Sequence, residues 1–256
     1  MSDICPVLES IRLYAKQLRI PSFAKYNDIV RHADGGMGYE EFLLELMKKE
    51  LETRRENQQK RRTRAAGFPF LKTLDEFDYS RLEHVKEAFV WELATCDYIQ
   101  KNQNVIMIGN PGSGKTHLSI GLGLKAIKEG FNVKFYTAAT LATSLVEAKE
   151  FKTLGKLERQ IHKADLLILD ELSYLSFNRH QSELLFKVIS DRSEKASVIV
   201  TTNLPFSKWT EMFENSTMIA ALVDRLTFRS HVLNMNGESF RKSYTTKVPA
   251  SSRNRP

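Results

Sequence analysis

The sequence has few of the residues from which disulfide scaffolds and metal centres are built. Its 256 residues include only two cysteines, Cys5 and Cys96. A fold held together by disulfides is therefore excluded, and a reducing compartment fits. The six histidines are widely spaced, and none has another histidine or a cysteine at the spacing of a zinc site.

Long apolar runs are also missing. No stretch approaches the roughly 18 apolar residues that a membrane helix needs, and the first residues, which include Asp3 and Glu9, lack the apolar segment of a signal peptide. Hydrophobic residues nevertheless make up 42 % of the chain, which is enough for a packed core. We therefore expect a folded, soluble protein of the cytoplasm with no membrane partner.

Positive charge is present in excess, and it is concentrated in one segment. The formal net charge is +7, and residues 48–64 hold eight lysines and arginines against three glutamates. This bias favours a polyanionic partner such as DNA. The charge alone leaves open whether the segment touches DNA or only solvates a helix.

The chain divides into a helical part and a part that alternates strands and helices. Apolar residues recur at helical spacing from Tyr39 to Leu51, ahead of the basic segment. We predict a small all-helical domain over residues 1–66 that ends in this basic arm, with Gly67 and Pro69 at the boundary. A larger domain is predicted over 67–245, followed by a disordered tail over 246–256.

Five short apolar runs in the larger part are typical of buried strands, and helical patterns separate most of them. We predict an α/β fold with a parallel five-stranded sheet covered by helices on both faces. Ser80 and Glu83 match a capping box, which predicts a helix start there. The predicted strands are 104–108, 133–137, 166–170, 198–202 and 231–235.

A glycine-rich loop follows the first predicted strand. Its pattern is G-x-x-x-x-G-K-T, and a helical segment over 117–129, closed by Gly130, comes directly after it. Such a loop wraps backbone N–H groups around phosphate oxygens at a helix N-terminus. Lys115 is expected to bridge the β- and γ-phosphates of ATP, and the Thr116 hydroxyl to bind Mg²⁺. The predicted nucleotide-binding residues of this segment are Gly109, Asn110, Pro111, Gly112, Ser113, Gly114, Lys115, Thr116 and His117.

Two further strands end in polar residues that complete a nucleotide-hydrolysing site. Asp170 ends a buried strand and is predicted to hold Mg²⁺, and the adjacent Glu171 is predicted to orient the attacking water. Asn203 follows a later strand and suits a sensor of the γ-phosphate. Because the guanine-specific motif Asn-Lys-x-Asp is absent, ATP is favoured over GTP.

With these motifs in this order, the sequence resembles the P-loop ATPases called AAA+. It looks most like the IstB type, the transposition helper ATPases of insertion sequences, which are close to the DnaC helicase loaders. The segments DELSYL, which begins at Asp170, and VTTNLPFSKW, which begins at Val200, carry this narrower resemblance.

The resemblance implies roles for further residues. Arg225 looks like an arginine finger that acts on the ATP of a neighbouring subunit, and Arg241 is similar to a sensor 2 arginine. Only 53 residues follow Asn203, too few for a full helical lid, so the C-terminal lid is expected to be absent or truncated. Residues 138–164 leave room for two helices that would face the centre of a ring. The resemblance implies that DNA contacts there come from Lys149, Lys152 and Lys156, with Ser173 and Tyr174 reaching the same channel.

The function expected from the sequence is that of an ATP-dependent DNA-binding helper ATPase. ATP bound between copies of the chain would build a ring or spiral on duplex DNA, with little sequence preference, that activates or targets a transposase. A replicative helicase loader is the alternative, with the same motor and a different partner. A nucleotide-gated DNA-binding protein without hydrolysis and a small-molecule kinase are less favoured.

Overall fold

In the computed structural model, residues 6–32, 37–172, 177–211 and 216–237 are described. The strands are β1 (Asn104–Ile108), β2 (Val133–Thr137), β3 (Leu166–Asp170), β4 (Ser197–Thr202) and β5 (Ser230–Asn234). The helices are α1 (Pro6–Gln17), α2 (Asn27–His32), α3 (Tyr39–Ala66), α4 (Glu87–Leu93), α5 (Asp97–Gln100), α6 (Lys115–Lys128), α7 (Ala138–Glu150), α8 (Leu154–His162), α9 (Arg179–Arg192) and α10 (Ser216–Thr227).

The chain forms two compact units, residues 1–61 and 62–256. The first contains α1, α2 and most of α3, and its described residues are helical, as the sequence predicts. Helix α3 continues to Ala66, the residue at which the sequence places the end of the helical part. The domain boundary after residue 66 stays a prediction.

The second unit is built on a five-stranded sheet in which every pair of neighbours is parallel. The strand order is β2-β3-β4-β1-β5. Three strands begin and end where the sequence predicts them, and β4 and β5 each begin one residue earlier. This order places the carboxyl ends of β1, β3 and β4 side by side, which positions the loop after β1 beside the acidic end of β3.

Alternate residues of the inner strands belong to two separate cores, one on each face of the sheet. Val105 and Met107 pack in the core that α6 covers, whereas Ile106 between them packs in the core formed with α7, α9 and α10. Because successive strand side chains point to opposite faces, both faces must be apolar. This confirms the prediction from the continuous apolar runs that helices cover both sides of the sheet.

The helix that follows the glycine-rich loop ends as the sequence predicts. Gly130 has a φ of +98°, and its N–H donates to the Ile127 carbonyl while that of Phe131 donates to the Ala126 carbonyl. This Schellman arrangement needs a left-handed residue, which glycine supplies without steric cost.

The predicted capping box at Ser80 and Glu83 is wrong. Ser80 lies in a short 3-10 turn capped by Asp78, and α4 begins only at Glu87. Asp78 accepts both the backbone N–H and the hydroxyl of Ser80, and the residue that precedes the first turn of α4 is Lys86, so Ser80 lies too far from the helix to cap it. Capping boxes do form at Thr73 with Glu76 and at Asn178 with Gln181.

In the described ranges, no helix is long and apolar enough to cross a membrane. The predicted truncated lid and disordered tail fall on residues after Gly237, outside the described part of the chain.

Candidate nucleotide site

The loop between β1 and α6 is closed around the ammonium group of Lys115. This group is buried, at 8 % exposure, and donates to the carbonyls of Gly109 at 2.6 Å and Asn110 at 2.8 Å. A buried ammonium needs such acceptors because desolvation penalises an unpaired charge. The lysine is thus held at the centre of the loop, where the sequence predicts the phosphates to bind.

Glycines make this loop sterically possible in two different ways. Gly112 and Gly114 have φ values of +81° and +87°, a region that other residues adopt only with strain. Gly109 instead lacks room for a side chain, because a Cβ there would lie 2.5 Å from the carbonyl carbon of Met235, at the end of β5. Pro111 stays exposed beside these glycines, and Ser113 is buried.

The hydroxyl of Thr116 and the carboxylate of Asp170 meet at the carboxyl end of β3. Thr116 Oγ1 lies 2.9 Å and 3.1 Å from the two carboxylate oxygens. Asp170 is only 3 % exposed, and this burial raises its pKa above the ordinary value, although hydrogen bonds and the nearby Lys115 charge oppose the shift. The sequence predicted this pair as the Mg²⁺ site, and the structure brings the two oxygen donors together.

A third hydroxyl, that of Thr201, completes this cluster, and it had no role in the sequence analysis. Thr201 Oγ1 donates to Asp170 Oδ1 at 2.6 Å and accepts the backbone N–H of Glu171 at 2.9 Å. The register of β3 against β4 brings Thr201 opposite Asp170. The polar end of β4, Thr201 and Thr202, was the available signal, but only the register identifies the partner of Thr201.

Glu171 has an unusual backbone conformation. Its φ is +56°, in the left-handed region, and its side chain is exposed. The hydrogen bond from its N–H to Thr201 helps to hold this conformation. The chain therefore turns sharply after Asp170 and presents the glutamate to solvent next to the buried aspartate.

Asn203 directly follows β4, whose neighbours in the sheet are β3 and β1. The Gly109 N–H donates to the Thr202 carbonyl at 3.2 Å, so the chain at Asn203 runs alongside the start of the glycine-rich loop. This placement suits the predicted contact with a terminal phosphate.

The side chain of His117 lies against the segment that precedes α4. Its Nε2 is 2.8 Å from the Thr73 carbonyl, and its ring packs edge-on against Phe77 with centroids 5.1 Å apart. Gly121, one turn further along α6, leaves room for Leu74, whose Cδ2 would lie 2.5 Å from a Cβ at that position. Segment 73–77 is thereby fixed on the N-terminal half of the helix that begins at Lys115.

Arg225 does not join the other predicted site residues. It lies on α10, half-buried, where its guanidinium donates to the Ala221 carbonyl and sits 5.2 Å from the centre of the Phe186 ring. Both partners belong to α9 or α10. Its predicted role on a neighbouring subunit's nucleotide stays a prediction.

Helices α7 and α8 form the predicted helix pair, and the three predicted DNA-contacting lysines lie at the turn that joins them. Lys149, Lys152 and Lys156 are all exposed. Phe151 lies among them with 75 % of its surface exposed, a large apolar side chain that the sequence analysis did not single out. The pair is anchored on α9 through the apolar core in which Leu141 and Leu145 of α7 pack with Leu185 of α9, and Glu158 of α8 also pairs with Lys187 of α9.

Three predicted site residues lie outside the described part of the chain. They are Ser173 and Tyr174, which follow the acidic pair, and Arg241, the predicted sensor 2 residue.

The donor set fits Mg²⁺ rather than a transition metal. In the described part of the chain, no group of three or more His, Cys, Asp or Glu side chains could hold a metal ion. Mg²⁺ takes few protein ligands, since it keeps several waters and binds substrate phosphates. One carboxylate and one hydroxyl beside a phosphate-binding loop match that demand.

Comparisons with known proteins place this chain in a family. Residues 13–248 match the family described as IstB-like ATP binding protein. The chain is 37 % identical over 218 residues to an insertion sequence IS21 putative ATP-binding protein of Pseudomonas aeruginosa, covering 85 % of this chain and 82 % of that one. An IS5376 putative ATP-binding protein of Geobacillus stearothermophilus is 34 % identical over 91 % of this chain and 94 % of its own. Among solved structures, that of DnaI has a TM-score of 0.54 at 15 % identity, covering 64 % of this chain and 90 % of that chain, which shows a shared fold.

Proposed function

The chain belongs to the family of IstB-like ATP binding proteins and is an ATPase with the AAA+ fold, and from this premise we propose that it assembles on DNA with ATP and presents that DNA to a transposase. The observation that carries the chemical part is the cluster of Thr116, Asp170 and Thr201 beside the Lys115 ammonium.

Binding of ATP begins with an exchange of partners at Lys115. Its ammonium leaves the carbonyls of Gly109 and Asn110 and takes up the β- and γ-phosphate oxygens. The backbone N–H groups of Lys115 and Thr116, the first residues of α6, then face the phosphates, and the helix dipole adds favourable charge.

Hydrolysis requires a water molecule held in line with the γ-phosphate. Glu171 accepts a hydrogen bond from that water and orients it, and Asn203 contacts the γ-phosphate from the neighbouring strand. Thr116 and Asp170 would hold Mg²⁺, which neutralises charge on the β- and γ-phosphate oxygens when bound. Arg225 of a neighbouring copy stabilises the charge that develops in the transition state as the γ-phosphoryl group passes from ADP to water.

DNA binding is proposed at the turn between α7 and α8. Three exposed lysines form a surface that can contact phosphates, and the exposed aromatic ring among them can insert between base steps of a duplex. The relatives' names connect them with insertion sequences, which supports a transposase as the partner. We also propose that copies of the chain assemble into a ring or spiral. The proposed location is the cytoplasm, because ATP and DNA are available there.

The helicase loader remains the second candidate, because the fold is shared with DnaI. The two candidates share the ATPase chemistry and differ in the protein that receives the DNA. Copurification of the full chain with its transposase or with a replicative helicase separates them.

The ATPase proposal is tested with two substitutions that act on different steps. Glu171→Gln should bind ATP as tightly as the original protein and hydrolyse it slower by a factor on the order of 10² or more. Lys115→Ala should lose tight ATP binding, and with it assembly on DNA. Equilibrium binding of ATP and phosphate release under saturating ATP measure the two effects. Near-normal turnover by Glu171→Gln would remove this residue from the chemistry.

The DNA proposal is tested by the salt dependence of binding. Each phosphate contact on duplex DNA contributes about 0.9 to the slope of log affinity against log salt. Since several copies contribute, the pair Lys149→Ala and Lys152→Ala should lower the slope by more than one unit on every sequence tested. The matched control neutralises Arg61, Arg62 and Arg64 in the basic arm. A slope that depends on the arm and not on the turn would move the DNA site to the arm.

The exposed ring provides a second, independent readout at the same turn. Phe151→Ala should weaken DNA binding without changing the salt slope, because an inserted ring neutralises no phosphate. Phe228→Ala is the control, since Phe228 is an exposed aromatic residue, at 50 %, that directly follows α10 and lies away from the turn. Equal losses for both variants would contradict a role for the turn.

A further inference from the structure

Phe186 and Arg225 lie at the edge of the contact between α9 and α10. Leu185 of α9 and Leu222 and Leu226 of α10 are buried in one core, which holds the two helices against each other. Phe186 directly follows the buried leucine of α9, and Arg225 directly precedes the second buried leucine of α10; both side chains are only partly buried. The two helices therefore bring an aromatic ring and a cation together at the border between the core and solvent.

Two contacts hold the guanidinium of Arg225 in place. Its central carbon lies 5.2 Å from the centre of the Phe186 ring, within the roughly 6 Å over which the face of a ring attracts a cation. One of its N–H groups donates to the Ala221 carbonyl at 3.1 Å, one turn earlier on α10. These contacts confine a group that ends a long side chain with many rotamers.

The charge of Arg225 is not neutralised by its own chain. In the part of the chain that the structure describes, no carboxylate lies within ion-pair distance of this guanidinium, and the adjacent Asp224 does not pair with it. The guanidinium has five N–H donors, and the Ala221 carbonyl takes one of them. The others remain available for an anion with the geometry of a phosphate.

We propose that Phe186 is a positioning residue for Arg225, whose guanidinium its ring holds ready for the nucleotide of a neighbouring copy. This inference rests on the proposed function, in which Arg225 acts on that nucleotide. An arginine that engages a phosphate loses rotamer freedom, and the ring reduces this loss because it confines the guanidinium beforehand. Since a phenylalanine ring carries no hydrogen-bonding group, it restrains the cation without taking up its N–H donors.

Replacement of the ring tests this role. Phe186→Leu keeps an apolar side chain at the edge of the core and removes the ring. Turnover at saturating ATP should fall by roughly two- to thirty-fold, the change equivalent to one cation–π contact. The affinity for ATP should be unchanged, because the residues that bind the nucleotide within the same copy are intact. Phe186→Tyr retains a ring and should retain turnover.

The chain offers a matched control at the end of the same helix. The guanidinium carbon of Arg229 lies 5.4 Å from the centre of the Phe228 ring, and both residues directly follow α10. Phe228→Leu removes a cation–π contact of the same kind that does not involve Arg225. Its turnover should equal that of the original protein.

Mixtures of variants distinguish positioning of Arg225 from a structural role of Phe186. In a mixture of Arg225→Ala with Lys115→Ala, the first variant binds ATP and the second supplies the arginine. Phe186→Leu added to the Lys115→Ala copy should lower the activity of the mixture by the same factor as in the otherwise original protein. Phe186→Leu added to the Arg225→Ala copy should leave it unchanged, because only the copy that supplies the arginine needs the ring.

The outcomes separate a failure of this inference from a failure of the proposed function. Normal turnover by Arg225→Ala, or mixtures without any recovery, would remove Arg225 from the reaction and the role of Phe186 with it. If Arg225→Ala is inactive and Phe186→Leu turns over like the original protein, the arginine acts without help from the ring. Equal losses in the two Phe186→Leu mixtures would show a structural role instead, and faster turnover by Phe186→Leu would show that the ring holds Arg225 away from the nucleotide.

Discussion

Replacement of Gly109 by alanine tests the close approach between the glycine-rich loop and β5. The added Cβ would lie 2.5 Å from the Met235 carbonyl carbon and 3.0 Å from the Asn236 nitrogen. Both atoms belong to the backbone, and the Met235 N–H is bonded to the Ile108 carbonyl at 2.6 Å. Neither the glycine-rich loop nor the backbone at residues 235 and 236 can move away without separating the end of β5 from β1.

The expected loss follows from this geometry. Overpacking of a well-packed site costs typically 1–3 kcal/mol of stability. We expect the loss for Gly109→Ala to lie at the upper end of this range, because the atoms that the new Cβ would meet belong to the backbone. The Gly109 carbonyl also accepts the Lys115 ammonium at 2.6 Å. Displacement of the loop should therefore weaken ATP binding as well as stability.

Gly155→Ala is the matched control. Gly155 lies in α8, and a Cβ there meets nothing within 4 Å. This change should stabilise the protein by about 0.4–1 kcal/mol, since alanine restricts the unfolded chain. Both glycines belong to the second unit, as do the two tryptophans, Trp91 and Trp209.

The free energy of unfolding of both variants is measured by urea titration with tryptophan fluorescence as the signal. Their affinity for nucleotide is measured with a fluorescent ATP analogue. The reasoning is refuted if the free energy of unfolding of Gly109→Ala differs by less than about 0.5 kcal/mol from that of the original protein, which is the range of a neutral surface change, and if the variant binds the nucleotide with the same affinity.

Two further predictions concern Thr201 and Arg225. Thr201→Val removes the hydroxyl that serves both Asp170 and the Glu171 N–H, so turnover should fall, and stability should fall by about 1–3 kcal/mol; Thr201→Ser should retain both, and equal turnover of the two variants would argue against the hydroxyl. Arg225→Ala should bind ATP normally. Its turnover should fall by roughly 10³-fold or more if Arg225 resembles measured arginine fingers. Mixed with Lys115→Ala, it should regain activity at hybrid interfaces, and mixed assemblies without any recovery would contradict action on a neighbour.

The strands and the glycine-rich loop could be predicted because their signals are local. A short continuous apolar run, such as residues 166–169, predicts a buried strand when its length is that of a strand and polar residues bound it. Likewise, the spacing of Gly109, Gly114 and Lys115 is dictated by the phosphates that the loop must surround. These features depend on a few consecutive residues, which the sequence displays directly.

Features that depend on contacts between distant segments were not predictable. Thr201 gains its partner only through the β3–β4 register. Arg192 is another case, since its buried guanidinium donates to carbonyls of Ile161, Ala164 and Ser197, and burial lowers its pKa to about 10. In the sequence it is only a basic residue in the last turn of a helix, a position that usually faces solvent.

The left-handed backbone of Glu171 sets stability against activity at a single residue. A side chain in that conformation costs roughly 1–2 kcal/mol, and glycine avoids the cost. The fold itself therefore gives no reason to keep a glutamate there. If variants of this chain were selected for heat resistance alone, Glu171→Gly would be tolerated or enriched, and a well-folded protein without its proposed water-orienting group would result. If Glu171 orients the attacking water as proposed, catalytic competence has to be selected separately from thermal endurance in this chain, because at position 171 the two would favour different amino acids.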